Sequence, residues 1–441
     1  MGDSATLLAI GDVHLGTRCS GIPDAVMDWG IDPADLTPAA TLERCVDLAI
    51  DGKVAAVLLA GDVVDSSNAR FEAMIPLETC TRRLLDAGIE VIAVAGNHDV
   101  EALPRMASMV EGFRLLGAGG TWQTHVVSHH GAAVAEIIGW SFGASEVRQS
   151  PVADLLRHPL ARASAGIPRI GLLHADLGAS GGAYAPVRQA ELDDAGCDAW
   201  LLGHIHKPSL AGVPCGYLGS LAGLDPSETG PHGPWLITLL PDGRMEFRQE
   251  VLAPVRWEEI TVSLDHGLED ADDVADRLLA EAEARCRKLA GEGPLPRVLG
   301  LKARLAGSIP CHGDVMMRLA SGDWTDLGRM IDGTAVFYGR IVPALTPVRD
   351  LHGVAEGSDP AALLARRLAA LEEGGEAARE LLRQARAELA GVAGETHWAP
   401  VDAHRHAIDP LADEPLRDML IRAGRAALDA MLARERRDEC T

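Results

Sequence analysis

Five apolar segments of the chain each end in side chains that can bind a metal ion or carry a proton. In chain order these side chains are Asp12 and His14, Asp62 and Asp65, Asn97 and His98, His174, and His204 and His206. Carboxylate, imidazole and amide groups are donors that divalent metal ions bind in proteins. Each ending alone has a simpler explanation, because Asp, Asn and Gly are common in turns. Five such endings in one chain instead predict a shared metal site.

The spacing within two of these segments supports the same prediction. In a strand, residues i and i+2 point to one face, with Cα atoms roughly 6.5–7 Å apart. Asp12 and His14 have this spacing, and so do His204 and His206 in the segment WLLGHIHKP. For the second pair, taken alone, the alternative is two histidines that cap a strand and hydrogen-bond to the backbone.

The types of donor indicate which metals and which reaction to expect. The set contains no thiolate, which favours two divalent ions such as manganese, iron or zinc over a structural zinc site. Seven of these side chains, all except Asp65 and His98, are enough donors for two ions if one carboxylate bridges the ions. Two ions about 3.5–4 Å apart can activate water and clamp the oxygens of an in-line displacement at phosphorus. Asn97 adds a neutral oxygen, which leaves the site net positive, and the next residue, His98, can then face the substrate.

Strands and helices alternate between residue 5 and about residue 250. A helical pattern from Phe71 to Ala87 ends at Gly88, and the apolar segments read TLLAIGD, AAVLLAGDVVD, IEVIAVAGNHD, AEIIGWSF, IGLLHAD, DAWLLGHIH and PWLITLL. Continuous apolar strands interleaved with helices predict sheets that are covered on both faces. Sites in α/β folds form at the carboxyl ends of the strands, so we expect the polar endings to meet there.

Two further regions follow this alternating part. From Arg256 to about Pro347 the pattern predicts strand, helix, strand, helix and strand, with the first helix from about Asp270 to Leu289, and indicates a small α/β domain. After about Leu351 the chain is helical and charged. Its last helix carries an apolar stripe, which predicts packing on the protein's own core or docking of a partner. The stripe consists of Leu416, Leu420, Ala423, Ala427 and Met431.

Composition restricts the function further. The net charge is −24, with 64 acidic and 40 basic residues, which argues against a broad basic DNA-binding face. No segment approaches the roughly 18 apolar residues of a membrane span, and the amino terminus lacks signal-peptide features. The eight cysteines form no C-x-x-C pair and are expected to be reduced thiols. We therefore expect a cytoplasmic protein with no membrane segment.

The ordered set D-x-H, G-D, G-N-H-D, H and G-H-x-H, over residues 5–210, resembles the calcineurin-like metallophosphoesterase superfamily. The resemblance implies an α/β fold, a four-layer α/β/β/α sandwich, and two metal ions, manganese first, with iron or zinc as alternatives. The ligands it implies are Asp12, His14 and His206 for one ion, Asn97, His174 and His204 for the other, and Asp62 as the bridge between them. It also implies that His98 stabilises the phosphoryl transition state or protonates the leaving oxygen, with Asp65 as its orienting carboxylate.

Two details favour one branch of the superfamily. Protein phosphatases of the superfamily read G-D-x-V-D-R-G at the second motif, whereas this chain reads GDVVDSSNAR and lacks that Arg. DVHLG resembles the SbcD-type DNA repair nucleases, and GGAYAPVRQAELDDAGCDAWLLGHIHKP and YLGSLAGLDPSETGPHGPWLITL are similar to their YhaO-like bacterial members. In outline the resemblance implies a nuclease core at 1–253, a DNA-facing α/β cap at 254–350 and a helical C-terminal region at 351–441.

These features together predict a two-metal phosphodiesterase that hydrolyses DNA as an exonuclease or endonuclease. The expected partners are DNA, an SbcC-like coiled-coil ATPase that docks on the C-terminal region, and a second copy of the chain. One departure is the acidic cap segment DHGLEDADDVADRLLAEAEA, which favours the ATPase as the source of most phosphate contacts. Two alternatives stay open: a phosphodiesterase or phosphatase for a small nucleotide, which the acidic charge favours, and a non-catalytic regulator of the ATPase.

Other residues of metal-binding type have no partner in these motifs. An isolated side chain does not supply the three or four donors that a metal site needs. We predict that the following are surface or loop residues and not ligands: His125, His129, His130, Cys311, His312, His404 and His406.

Overall fold

The structure is a computed structural model that describes residues 4–65, 71–163, 166–178, 181–325, 327–348, 351–393 and 411–439. His404 and His406 lie outside the described residues. The chain forms two compact units, residues 1–346 and residues 347–441. The predicted boundary between core and cap, at residue 253, falls inside the first unit and stays a prediction. In the described part of the chain, no helix is long and apolar enough to cross a membrane.

The first part of the chain alternates strands with helices as expected. Its strands are β1 (Ala5–Ile10), β2 (Ala56–Leu59), β3 (Glu90–Ala93), β4 (Phe113–Leu115), β5 (Trp122–His129), β6 (Ala132–Trp140), β7 (Arg169–His174), β8 (Asp176–Leu177), β9 (Pro186–Val187), β10 (Ala199–Gly203), β11 (Cys215–Tyr217), β12 (Trp235–Leu239) and β13 (Met245–Gln249). Its helices are α1 (Pro38–Asp51), α2 (Phe71–Asp86), α3 (Ala102–Met109), α4 (Pro151–Arg157) and α5 (Gln189–Asp194), with 3₁₀ turns at Asp24–Trp29 and Pro33–Leu36. Each apolar segment named above contains a strand, and α2 matches the predicted helix.

Two sheets pack face to face. One has the strand order β13-β12-β1-β2-β3-β4, with β1 to β4 parallel and β12 antiparallel to β1. The other has the order β11-β10-β7-β6-β5, parallel except for β5. The apolar layer between the sheets includes Leu7, Leu58, Ile137, Ile170 and Leu201. The inner strands, such as β2 and β3, are buried on both faces, which is why their sequences are almost continuously apolar.

Helices cover the outer faces of both sheets. Leu42 of α1, Leu77 of α2 and Leu103 of α3 pack in the core outside the first sheet. Leu155 of α4 and Leu192 of α5 pack in the core outside the second sheet. The layers therefore follow the order α/β/β/α, and the predicted fold class is confirmed.

A third sheet lies in the region for which the sequence predicts a small α/β domain. Its elements are β14 (Val255–Leu264), α6 (Ala271–Glu292), β15 (Val298–Ile309), α7 (His312–Ser321), β16 (Gly328–Ile331) and β17 (Thr334–Pro347), and the sheet order is β14-β15-β17-β16. The predicted order of elements is observed, with β16 as an addition. Helix α6 begins where the Asp270 carboxylate accepts hydrogen bonds from the N–H groups of Asp272 and Asp273, a typical helix cap.

The second unit is helical, as predicted for the residues after Leu351. Its elements are α8 (Leu351–Ala355), α9 (Pro360–Glu373), α10 (Gly375–Ala393) and α11 (Asp413–Glu439). Leu368 of α9 and Leu428 of α11 share one buried cluster, and Leu382 of α10 and Leu416 of α11 share another. The apolar face of α11 is thus partly used within its own unit.

The apolar stripe predicted for α11 is correct only in its first half. Leu416 is buried, but three other members are exposed: Ala423, Ala427 and Met431. The buried line runs instead through Gly424 to Leu428. A Cβ at Gly424 would lie 2.7 Å from Leu368 Cδ2, so the absence of a side chain there draws α9 to this face of the helix.

Candidate metal centre

The polar segment endings meet at one edge of the two-sheet sandwich. In the structure, Asp12 and His14 follow β1, Asp62 and Asp65 follow β2, Asn97 and His98 follow β3, His174 ends β7, and His204 and His206 follow β10. Strands β1, β2 and β3 belong to one sheet and β7 and β10 to the other. Both sheets therefore contribute their carboxyl ends to the site, the location expected in an α/β fold.

The backbone at this edge is strained at several positions. His14, Asp62 and His204 have positive φ angles of 52°, 47° and 101°. Residues other than glycine adopt this conformation rarely, and it clusters at functional sites. Gly96, in the G-N-H-D motif, meets a different need: a Cβ there would lie 2.1 Å from Asp62 Oδ1. The motif glycine thus allows the two loops to approach closely.

Asp12, His14 and His206 form the first donor group, whose ligand atoms lie within 4.8 Å of one another. Asp12 is buried, and its Oδ1 accepts a hydrogen bond from the N–H of His204 at 2.9 Å. Within the described ranges, its Oδ2 is buried without a hydrogen-bond partner. Such an oxygen is costly in a protein interior, so a cation bound there would stabilise it.

The two histidines of this group face each other. Their Nε2 atoms lie 3.1 Å apart. Both Nδ1 atoms face carboxylates: His206 Nδ1 donates to Glu228 Oε1 at 2.7 Å, and His14 Nδ1 lies 3.5 Å from Asp65 Oδ2. A neutral imidazole with its proton on Nδ1 has a lone pair on Nε2. In that tautomer both Nε2 lone pairs are available to a metal ion bound by this group.

Asp12, Asp62 and His174 form the second donor group. His174 Nδ1 donates to the carbonyl of Ala60 at 3.2 Å, and its Nε2 lies 3.1 Å from Asn97 Oδ1 and 3.3 Å from Asp62 Oδ2. Burial lowers the pKa of His174, but the Asp62 carboxylate outweighs burial and raises this pKa to about 9. The local field therefore favours a positive charge at this point. The carboxylate, imidazole and amide donors fit a divalent ion.

Asp62 lies between the two groups. Its Oδ2 is 3.3 Å from His174 Nε2 and 4.0 Å from His14 Nε2. Its Oδ1 accepts a hydrogen bond from the N–H of His98 at 3.0 Å. Burial raises the pKa of Asp62, but His174 and the His98 N–H outweigh burial and hold this pKa well below its usual range. The residue that the sequence predicts as a bridge thus faces both groups.

His204 is placed differently from the other predicted ligands. In the part of the chain that the structure describes, it belongs to none of the donor groups. The centre of its ring lies 5.2 Å from that of His174 and 5.2 Å from that of Tyr184. Its backbone N–H orients Asp12, so the residue already contacts the site through its main chain.

Asp65 and His98 lie together at the rim of the site. Asp65 Oδ2 is 3.7 Å from His98 Nδ1 and 3.5 Å from His14 Nδ1. The side chain of His98 is 35% exposed, whereas that of His14 is 8% exposed. Asp65 therefore lies close to both His98 and His14, and the sequence did not indicate its proximity to His14.

Two acidic residues to which the sequence assigned no role support the site. Glu228 contacts His206; it lies in the YhaO-like segment YLGSLAGLDPSETGPHGPWLITL, but its residue type and spacing did not mark it as a site residue. Asp99 closes the G-N-H-D motif, and its carboxylate accepts hydrogen bonds from the N–H groups of Val63, Val64 and Gly96. It thereby ties the loop after β2 to the loop after β3. Burial and the nearby Asp62 raise the pKa of Asp99 to about 7, against the effect of these N–H donors.

The other residues of metal-binding type lie away from the centre. Among the residues that the structure describes, none of the following joins a donor group: His125, His129, His130, Cys311 and His312. His125 instead bonds to Glu90 Oε2 at 2.6 Å on the outer strand β5. Cys311 lies in the loop between β15 and α7, but a surface position is wrong for it, because it is buried in the apolar cluster beneath α6.

Comparison with known proteins agrees with this geometry. A family model for calcineurin-like phosphoesterases matches residues 5–208. The chain is 26% identical over 289 residues to the uncharacterized metallophosphoesterase YhaO of Bacillus subtilis, covering 59% of this chain and 65% of that protein. It is 28% identical over 290 residues to the DNA double-strand break repair protein Mre11 of Haloferax volcanii, covering 64% and 60%. For Mre11 of Aeropyrum pernix the identity is 27% over 239 residues, covering 52% and 56%.

The chain spans less than two thirds of the length of each of these relatives. Calcineurin-like phosphoesterases bind two divalent metal ions, and the donor groups around Asp12 and Asp62 are candidates for holding them. Over residues 5–208 the chain is thus similar to calcineurin-like phosphoesterases, and the donor groups at its sheet edge suit divalent metal ions.

Proposed function

We propose that this protein is a metal-dependent phosphodiesterase that cuts DNA, as an SbcD-type nuclease subunit of an ATPase-coupled repair complex. The observation that carries the proposal is the pair of donor groups that share Asp12 and meet at Asp62. Two relatives named as Mre11 DNA double-strand break repair proteins support DNA as the substrate. We propose manganese as the metal, exonuclease or endonuclease action, and a cytoplasmic location.

The site residues divide into metal-holding and proton-handling roles. We assign one ion to Asp12, His14 and His206, the other to Asn97, His174 and His204, and the bridge to Asp62. When bound, two divalent ions supply an activated water and neutralise charge on the phosphate. We assign to His98, which lies beside Asp65 at the rim of the site, the role of stabilising the phosphoryl group or giving a proton to the leaving oxygen.

The small α/β domain, residues 254–350, supports contact with a polyanion despite the net charge of −24. The sheet face opposite α6 lines an open groove of about 540 Å³. Arg304 and Arg340 lie exposed on this face and make no ion pair with described residues, whereas Lys302 pairs with Glu259 at 2.5 Å. Two unpaired guanidinium groups on an open face suit phosphate oxygens. We propose that this face contacts the DNA backbone.

The partners remain proposals of the same kind. We propose that region 351–441 docks an SbcC-like coiled-coil ATPase, because Leu363, Met419 and Met431 are exposed apolar residues on its helices.

We also propose a homodimer. Ile75 of α2 and Met109 of α3 are 60% and 50% exposed on contacting helices, which supports a homodimer through this face. Replacing both of these by Glu should give a monomer by light scattering, and an unchanged mass would refute this interface.

The acidic charge favours one alternative, a phosphodiesterase or phosphatase for a small nucleotide. One hydrolysis experiment tests the nuclease proposal and distinguishes it from this alternative. Manganese-dependent hydrolysis of an end-labelled duplex is measured beside bis-p-nitrophenyl phosphate, for the wild type and for Asp62→Asn. Asp242→Asn, in the exposed turn between β12 and β13, is the matched control.

The nuclease proposal expects cleavage of both substrates by the wild type and the control, and of neither by Asp62→Asn. Cleavage of the small ester alone would favour the nucleotide enzyme. Cleavage of neither substrate by the wild type would favour the non-catalytic regulator.

A further inference from the structure

Glu228 lies beside the first donor group, in the loop between β11 and β12. Its side chain is 11% exposed. Its Oε1 accepts a hydrogen bond from His206 Nδ1 at 2.7 Å, and its Oε2 accepts from the Ser220 hydroxyl at 2.6 Å and from the Leu224 N–H at 3.1 Å. Both oxygens are engaged, so the carboxylate is held in one orientation against the ring of His206.

The loop that carries Glu228 is itself fixed from two sides. The buried His232 lies 3.0 Å from Ser220 Oγ and 3.1 Å from the carbonyl oxygen of Glu228. On the other side, the carbonyl of Trp257 in β14 accepts a hydrogen bond from the N–H of Gly230 at 2.8 Å. The position of Glu228 therefore depends on the small α/β domain as well as on the core.

We propose that Glu228 is a positioning residue that fixes the tautomer of His206, so that Nε2 carries the lone pair offered to the metal of the first donor group. This inference rests on the metal site that the proposed function requires. An ionised carboxylate only accepts hydrogen bonds, so His206 must keep its proton on Nδ1. A carboxylate behind a metal-binding histidine also holds the ring in place and raises its basicity.

The variant Glu228→Gln tests the tautomer specifically because it keeps the shape and removes only the charge and one acceptor. The Ser220 hydroxyl and the Leu224 N–H both donate toward the Oε2 position, so the amide oxygen of Gln belongs there. Its NH₂ group then faces His206 Nδ1 and makes that nitrogen the acceptor. His206 shifts its proton to Nε2, where the N–H points at the metal position.

The experiment measures Mn²⁺ affinity of the full-length protein by electron paramagnetic resonance, with folding checked by thermal unfolding. Glu228→Gln should raise the Kd of one ion about 10–100-fold, the usual effect of losing such a partner. Asp225→Asn is the matched control, because Asp225 is an exposed carboxylate of the same loop that bonds to Ser20 and not to His206. It should stay within about twofold of the wild type.

Two further readouts separate positioning from a general structural role. In metal-free protein labelled with ¹⁵N-histidine, His206 should be the Nδ1–H tautomer in the wild type and the Nε2–H tautomer in Glu228→Gln. In a His206→Ala background, Glu228→Gln should change the Mn²⁺ affinity by less than about threefold, since residues that act through one another are not additive.

The outcomes are distinguishable. An unchanged Mn²⁺ affinity or tautomer in folded Glu228→Gln, or an equal loss in the His206→Ala background, would overturn the role of Glu228. Wild-type protein that binds Mn²⁺ without cutting DNA would overturn only the nuclease proposal. Wild-type protein that binds no Mn²⁺ would overturn the metal site and both proposals with it.

Discussion

Replacing Gly96 by alanine is expected to slow phosphodiester hydrolysis about 100-fold by displacing the carboxylate of Asp62. A Cβ at residue 96 would lie 2.1 Å from Asp62 Oδ1 and 2.6 Å from its backbone nitrogen. Since Cβ contacts under 3.0 Å essentially do not occur, the carboxylate and the new methyl group must move apart by about 0.9 Å. A misplacement of about 1 Å in a catalytic site costs about 10²-fold in rate, which corresponds to about 2.7 kcal/mol.

The assay is the kcat/KM for bis-p-nitrophenyl phosphate with saturating Mn²⁺, accompanied by urea unfolding. Gly291→Ala is the matched control, because this glycine lies in α6 with nothing within 4 Å of the added Cβ. The control should retain full activity and gain up to about 1 kcal/mol in stability. A folded Gly96→Ala variant with activity within about threefold of the wild type would refute the reasoning, because Asp62 would then tolerate displacement.

Three further predictions concern proton transfer, pH and metal. His98→Ala should slow turnover by about 10²–10⁴-fold while Mn²⁺ binding is retained; loss of Mn²⁺ binding would make His98 a ligand. Burial raises the pKa of Glu136, but hydrogen bonds from the buried Arg169 outweigh burial and hold it below its ordinary 4.5. Glu136→Gln should therefore cost about 3–5 kcal/mol in urea unfolding at pH 7. The difference should shrink as the pH falls below about 4.5 and through the lower folded-state pKa, since the ionised carboxylate stabilises the fold only above that range; a pH-independent difference would contradict this. Mn²⁺ at 100 times its Kd should raise the wild-type free energy of unfolding by about 2.7 kcal/mol per site; an equal gain in Asp62→Asn would argue that the ion binds elsewhere.

The sequence predicts those parts of the fold that depend on continuous burial. Strands β2 and β7 are buried at every residue, and their apolar sequences AVLL and IGLL are therefore easily recognised. Strands β5 and β13 were not predicted, because β5 has one buried residue and β13 has none. The prediction of the apolar stripe in α11 was partly wrong for a different reason. The buried face of this helix depends on the contact between Gly424 and Leu368, which is a feature of packing between helices.

In the site, too, residues at the ends of strands could be predicted from the sequence, whereas contacts between distant loops could not. Side chains at the ends of recognisable strands, such as Asp12 and His174, were predicted because parallel strands bring their carboxyl ends together. Glu228 follows no strand, and it reaches His206 only because the loop folds back between the core and β14. The second role of Asp65, beside His14, likewise depends on a distance between two loops that the sequence does not encode locally.

The central claim is that this edge of the sandwich holds two metal ions joined at Asp62. Anomalous diffraction from crystals soaked in Mn²⁺ tests it most directly. The account predicts two peaks about 3.5–4 Å apart, one beside His14 and His206 and the other beside His174, with the Asp62 carboxylate in contact with both. A single peak, peaks at another place, or an Asp62 carboxylate that contacts neither ion would contradict the account.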